Sequence, residues 1–195
     1  MQDFHTEESR PMAPDAGSPS VSVVIPGKNE AENLPELIEE IRVALGARAF
    51  EIMVIDDGSD DGTDRAILAL MRERPWLRLV RHAQSCGQSA AVRTGLLAAK
   101  APIVVTIDGD GQNDPAFMPA LIDALEAGGP MMGIAAGQRL KRTDSGAKRV
   151  ASRLANKVRG AILQDGTRDS GCGLKALRRE MFLLFPYFDG WHRYL

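Results

Sequence analysis

Short β-branched runs alternate along this chain with stretches of helical spacing. Val21-Ser22-Val23-Val24-Ile25 is stopped by Pro26-Gly27, which predicts a buried strand and its turn. From Glu30 to Leu45, apolar residues at 34, 37, 38, 41 and 45 follow the period of a helix. Glu51 to Ile55 predicts a second strand, Gly62 to Glu73 a helix, and Leu77 to Val80 a third strand. Gln88 to Lys100 is an Ala-rich helix, and Ile103 to Ile107 is a fourth strand ending at Asp108. Pro115 to Glu126 predicts a helix with proline near its start, where it is tolerated. Met132 to Ala136 is a weaker strand, and Ala147 to Leu163 a long helix. Strand-helix alternation of this kind predicts an α/β sandwich with a mostly parallel sheet, in which ligands bind beyond the carboxyl ends of the strands.

Three of those ends carry unusual residues: Pro26 to Glu30, Asp56-Asp57-Gly58-Ser59, and Asp108-Gly109-Asp110. The last places two carboxylates around a glycine, directly after a buried strand. Both can reach one hard cation, and magnesium or manganese suits oxygen ligands that also face phosphates. Gln112 and Asp114 extend this cluster. A surface turn would use the same residue types, so the pair alone leaves both readings open. In the second loop, a helix cap accounts for Asp60 to Thr63. It does not account for Asp56 and Asp57, pressed against a buried strand where unpaired charge is costly. The first loop, alone, reads as a simple strand-turn-helix capped by Asn29.

Composition narrows the classes. At 44% hydrophobic and 26% charged, the sequence is that of an ordinary globular protein, and its net charge of -2 gives no global attraction to nucleic acid. The charge is unevenly spread. Residues 138 to 159 hold eight Lys or Arg against the single acid Asp144, a basic surface suited to anions. Cys86 and Cys172 have no metal-ligand spacing and read as free thiols. No apolar run reaches the length of a membrane span, and neither a dinucleotide glycine motif nor a phosphate loop is present. Residues 1 to 19 are polar and predicted to be a disordered tail.

Taken together, VVIPGKNEAENL, VIDDGSDDGT and TIDGDGQNDP resemble the amino-terminal half of family 2 glycosyltransferases with the GT-A fold. GQRLKRTDSGAKRVASRLAN, RDSGCGLKALRRE and YFDGWHRYL are similar to the polyprenyl-phosphate branch, which includes dolichol-phosphate mannose synthases. The resemblance spans residues 20 to 195 and implies one catalytic domain, truncated at its carboxyl end. It implies an inverting transfer from a UDP- or GDP-sugar to a polyprenyl phosphate, with Mg2+ or Mn2+, at the inner, cytoplasmic face of a membrane. A family 2 enzyme acting on a sugar hydroxyl is the alternative.

The resemblance also implies residue roles. Pro26, Glu30, Asp56 and Asp57 would hold the nucleoside; Asp108, Asp110 and Gln112 would hold the metal and donor phosphates, with Asp110 catalytic. Arg139, Lys148, Arg149 and Ser152 would face the acceptor phosphate, on a helix with one basic and one apolar face. Asp169 would sit near the sugar as a catalytic carboxylate, and Arg193 would return toward the donor phosphates. The sequence departs from the branch after Asp169-Ser170-Gly171, where Cys172-Gly173-Leu174-Lys175 stands in place of the common aromatic residue and Arg.

Overall fold

A computed structural model describes residues 17–137 and 172–193. Six strands form one sheet in the order β3-β2-β1-β4-β6-β5. They are β1 (Val21–Gly27), β2 (Phe50–Asp56), β3 (Leu77–Arg81), β4 (Ile103–Thr106), β5 (Ile134–Ala136) and β6 (Lys175–Arg178). The first four run parallel. β6 is antiparallel to β4, and β5 is antiparallel to β6. The helices are α1 (Leu34–Leu45), α2 (Thr63–Met71), α3 (Gln88–Ala98), α4 (Met118–Ala127) and α5 (Arg179–Leu183).

The near-continuous apolar runs of β1, β2 and β4 reflect burial on both faces of the sheet. Val23, Ile25, Ile52, Val54 and Val105 join the side chains of α1, α2 and α4 in one core. Their strand neighbours Val24, Met53, Ile55 and Val104 join α3, Phe182 of α5 and Trp191 in the other. The two-residue period of a strand makes this division. On the second face, α3 approaches β1 so closely that a Cβ on Gly95 would lie 2.3 Å from Val24 Cγ1.

The predicted elements over residues 21–136 are all present, with bounds moved by a few residues. α1 starts at Leu34 rather than Glu30, next to Pro35, which fits the first turn of a helix. The predicted helix from Pro115 opens as a 3-10 turn, Pro115–Phe117, before α4. The long helix expected over 147–163 lies outside the described residues. The hydrophobic pattern predicts neither β6 nor α5: the composition of Lys175-Ala176-Leu177-Arg178 favours a helix. The slot between β4 and β5 overrides that preference and buries Ala176 and Leu177 completely. The two residues that follow tie both layers to β6. The Arg178 guanidinium donates to the carbonyls of Leu125 and Gly129 at the end of α4, and that of Arg179 to Leu96 and Leu97 at the end of α3.

Candidate active site

The sheet order reverses between β1 and β4. β1 continues to β2 on one side, and β4 lies on the other, so the loops leaving them diverge and open a crevice. Pro26 at the end of β1, Glu30 after it, Asp57 after β2, and Asp108 and Asp110 after β4 line one cleft there, with Gln88 from the start of α3. Three loops far apart in sequence therefore meet at one place, as their strand-end positions required.

The loops fix one another. Asn29 takes the left-handed conformation, φ 61°, which asparagine tolerates. Its side-chain oxygen accepts from the Asp60 N–H, while its own N–H donates to Ser59 Oγ at 2.9 Å. The N–H groups of Glu30 and Ala31 donate to Thr63 Oγ1 and Asp61 Oδ2. Asp61 also accepts from the Thr63 N–H at 2.9 Å, but the N-cap position of α2 is Gly62, so the side-chain cap expected for this loop is not formed and Asp61 supports the helix start from one residue further out.

Asp56 and Asp57, alike in the sequence, have separate tasks. Asp56 is fully buried and is not part of the cleft wall. Its Oδ1 accepts from the Ser59 N–H at 2.8 Å, and Oδ2 lies 3.3 Å from Arg81 Nε. Asp57 does line the cleft, and its carboxylate clasps the segment after β3. It accepts from the N–H groups of Cys86 and Gly87, both at 2.8 Å, from Ser85 Oγ at 2.7 Å, and from His82 Nδ1 at 2.7 Å. Gly58 makes this clasp possible. At φ 71°, a Cβ there would lie 2.8 Å from the Gln84 carbonyl carbon. Asp57, His82 and Cys86 bring an oxygen, a nitrogen and a sulfur within 4.8 Å of one another. The four hydrogen bonds on Asp57 explain that grouping without a metal.

Burial alone would raise the pKa of Asp57; the hydrogen bonds from Cys86, His82, Ser85 and Gly87 outweigh it and hold the value at about 2, below the ordinary 3.8. A depressed carboxylate stabilises the fold above its unfolded value, and that stabilisation fades as pH falls from 3.8 toward 2. Asp57 is expected to contribute about 2 kcal/mol at neutral pH through this shift. Denaturant titrations between pH 5 and pH 2 check it: an Asp57→Asn variant should start less stable and lose less than the parent over that window. Parallel curves for the two proteins would refute the assignment.

Asp108 is half-buried, Gly109 buried and Asp110 exposed. Gln88 Nε2 donates to Asp108 Oδ1 at 2.8 Å, and the Gln112 N–H donates to Asp110 Oδ1 at 3.1 Å. Gln112 thus supports the loop through its main chain; its exposed side chain is not part of the cleft wall. Across the cleft floor, Gly173 reaches the same carboxylate: a Cβ there would lie 2.0 Å from Asp108 Oδ2. Among the described residues, the cleft wall holds the acids Glu30, Asp57, Asp108 and Asp110 against one base, Lys28. Such a surface repels a diphosphate and attracts a divalent cation, whose binding would reverse the local field. Oxygen ligands from Asp108 and Asp110 fit magnesium or manganese.

A family model described as Glycosyl transferase family 2 matches residues 22–184. The chain belongs to this family. Among curated relatives of this family 2 glycosyltransferase, the undecaprenyl-phosphate 4-deoxy-4-formamido-L-arabinose transferase of Aeromonas hydrophila subsp. hydrophila is 37% identical over 164 residues, 83% of this chain and 49% of that protein. Its counterpart from Yersinia enterocolitica is 34% identical over the same shares. The chain therefore spans about half the length of the curated relatives it matches. Among solved structures, glucosyl-3-phosphoglycerate synthase from Mycobacterium tuberculosis, in complex with Mn2+, UDP-glucose and phosphoglyceric acid, superposes with a TM-score of 0.67. It is 26% identical, and the match covers 87% of this chain and 60% of that one. The GT-A fold and the likeness to the polyprenyl-phosphate branch, both expected from the sequence, are found.

Of the expected site residues, the fold brings Pro26, Glu30, Asp57, Asp108 and Asp110 together. Arg139, Lys148, Arg149, Ser152 and Asp169 lie outside the described residues. Arg193 is placed by its main chain in a 3-10 turn, Trp191–Arg193. The sequence reading missed Lys28 and Gln88 in the wall, and Gly173 behind Asp108. Gln88 had a usable signal, since it follows the carboxyl end of β3; Gly173 had none in its local sequence.

Proposed function

We propose that this chain carries the donor site of a metal-dependent, inverting glycosyltransferase that moves a sugar from a nucleoside diphosphate to a polyprenyl phosphate. The observation that carries this reading is the convergence of Asp57, Asp108 and Asp110 in one acidic cleft at the sheet's switch point. The named substrates of the relatives, a nucleotide sugar in one case and undecaprenyl phosphate in the others, support the two substrate classes.

Asp108 and Asp110 would hold Mg2+ or Mn2+, which when bound neutralises the donor diphosphate as a leaving group. Asp57, ionised, lines the cleft; its four hydrogen bonds fill both carboxylate oxygens, so it would accept from a base N–H or a ribose hydroxyl in exchange for one of them, the Ser85 hydroxyl. Pro26 and Glu30 flank it, and Asp56 stiffens the loop from behind. An acceptor phosphate oxygen attacks the anomeric carbon as the bond from that carbon to the diphosphate oxygen breaks, so the configuration inverts. A phosphate acceptor is already ionised near neutral pH and needs no strong base. Asp169 then orients the sugar, while Arg139, Lys148, Arg149 and Ser152 supply charge-assisted contacts to the acceptor phosphate.

A membrane surface as the working place draws support from residues 184–188. Leu184 is 86% exposed, and Phe185, Tyr187 and Phe188 are exposed beside it. Among the described residues, no helix is long and apolar enough to cross a membrane.

Transfer of radiolabelled sugar from UDP- and GDP-sugars tests the proposal. Label appearing in a short polyprenyl phosphate in detergent, only with Mn2+ or Mg2+, is the expected result. Label appearing only in water-soluble saccharides would overturn the lipid acceptor and favour a sugar hydroxyl.

A further inference from the structure

The turn Trp191–Arg193 is held against α3 and β6 by more than packing. Trp191 is 3% exposed and meets Phe182 edge-on, with ring centroids 6.3 Å apart. Beyond this apolar anchor, two buried polar side chains converge on its neighbour, His192. Ser89, 3% exposed in the first turn of α3, places its Oγ 2.6 Å from His192 Nδ1. The His192 N–H donates back to the same oxygen at 3.3 Å. Lys175, 4% exposed on β6, donates from Nζ to the His192 carbonyl, also at 3.3 Å.

Both anchors neighbour residues that line the cleft or lead into it. Ser89 follows Gln88, which lines the cleft and binds Asp108, and it precedes Ala91, which also lines it. Lys175 is paired with Thr106, two residues before Asp108. Ordering a short turn near an active site costs conformational entropy, and burying an ammonium costs desolvation. Apolar residues at 89 and 175 would avoid the second cost and still let Trp191 dock. Among the contacts they would lose are those that fix the position of one main-chain segment.

We propose that Ser89 and Lys175 are positioning residues that hold the 191–193 turn, through His192, as a further wall of the donor cleft. This rests on the nucleotide-sugar reading above. The contacts fix both the ring and the main chain of His192, so the turn cannot rotate about the Trp191 anchor. The chemistry the wall would meet is the donor diphosphate, because its anchors flank the residues that face the metal site.

Two tryptophans are present. A Trp76→Phe background therefore leaves Trp191 as the reporter of the turn. In that background, Ser89→Ala and Lys175→Met are compared with the parent, and Lys175→Arg serves as the conservative control. Three readings are taken: acrylamide quenching of Trp191, calorimetric binding of UDP and GDP with Mn2+, and the thermal midpoint. The expected result is greater quenching and about 3- to 10-fold weaker nucleotide binding in Ser89→Ala and Lys175→Met, with both restored toward the parent by Lys175→Arg. Unchanged quenching and unchanged affinity, with only a lower midpoint, would show buried polar groups that serve stability alone and would overturn the proposal. If the parent itself binds neither nucleotide, the donor reading fails, and quenching still decides whether Ser89 and Lys175 fix the turn.

Discussion

An Asp110→Ala variant is expected to keep its fold and lose manganese-dependent nucleotide binding. Asp110 is exposed, and its Oδ1 receives the Gln112 N–H in an exposed loop. Removing it should change stability by no more than about 0.5 kcal/mol. The effect on binding is of another order. The cleft presents Glu30, Asp57, Asp108 and Asp110 to an anionic ligand. Without a well-held cation, that field opposes a diphosphate. If Asp108 and Asp110 hold the cation as proposed, losing one of the two carboxylates should remove several kcal/mol of metal-mediated attraction, on the order of a 100-fold or greater loss in affinity. Calorimetry with UDP and GDP, with and without Mn2+, reads this directly. Parent and variant should converge in the absence of metal and separate in its presence. A variant that retains full manganese-dependent affinity would remove Asp110 from the metal site.

A single methyl group at Gly173 should be nearly as damaging, for a steric reason. The added Cβ would fall 2.0 Å from Asp108 Oδ2 and 2.3 Å from Cγ. Either the carboxylate or the main chain must move. The main chain is held: the Gly173 carbonyl accepts from Thr106 Oγ1 at 2.9 Å, and β6 begins two residues later between β4 and β5. The carboxylate therefore yields, breaking its contact with Gln88 and leaving the metal site misaligned. Gly173→Ala should lower nucleotide affinity in manganese to the level of Asp108→Asn, with an overpacking cost of about 1–3 kcal/mol in stability. Side-by-side calorimetry of the two variants, with thermal unfolding of each, provides the check. Parental affinity in Gly173→Ala would mean that β6 gives way instead.

The first five strands, the mostly parallel character of the sheet and the three site loops were legible because each follows from local pattern: β-branched runs, turn residues, and acids at strand ends. The separation of Asp56 from Asp57 was half legible. Successive residues at a strand end point to opposite sides, so one acid had to face inward. Which one did depends on Arg81 and the loop after β3, contributed by another strand. β6 was not legible, because a sequence rich in Ala, Leu, Lys and Arg becomes a strand only when two waiting edges accept it. Gly173 beside Asp108, and Ser89 beside His192, are meetings of distant chain segments. No window along the sequence contains both partners.

The placement of β6 also dictates an order of events during synthesis. Among the described residues, β5 pairs with β6 alone, and β6 fills the slot beside β4. As the chain leaves the ribosome, β1 to β4 can pair as they appear, while β5 waits for its described partner until Lys175 to Leu177 emerge. Until then β4 presents an open edge, the kind of surface that captures other nascent chains. The last carbonyls of α3 and α4 wait as well, for Arg178 and Arg179. Arrival of these few residues closes the sheet and caps a helix on each of its faces, so the half of the site around Asp108 matures last.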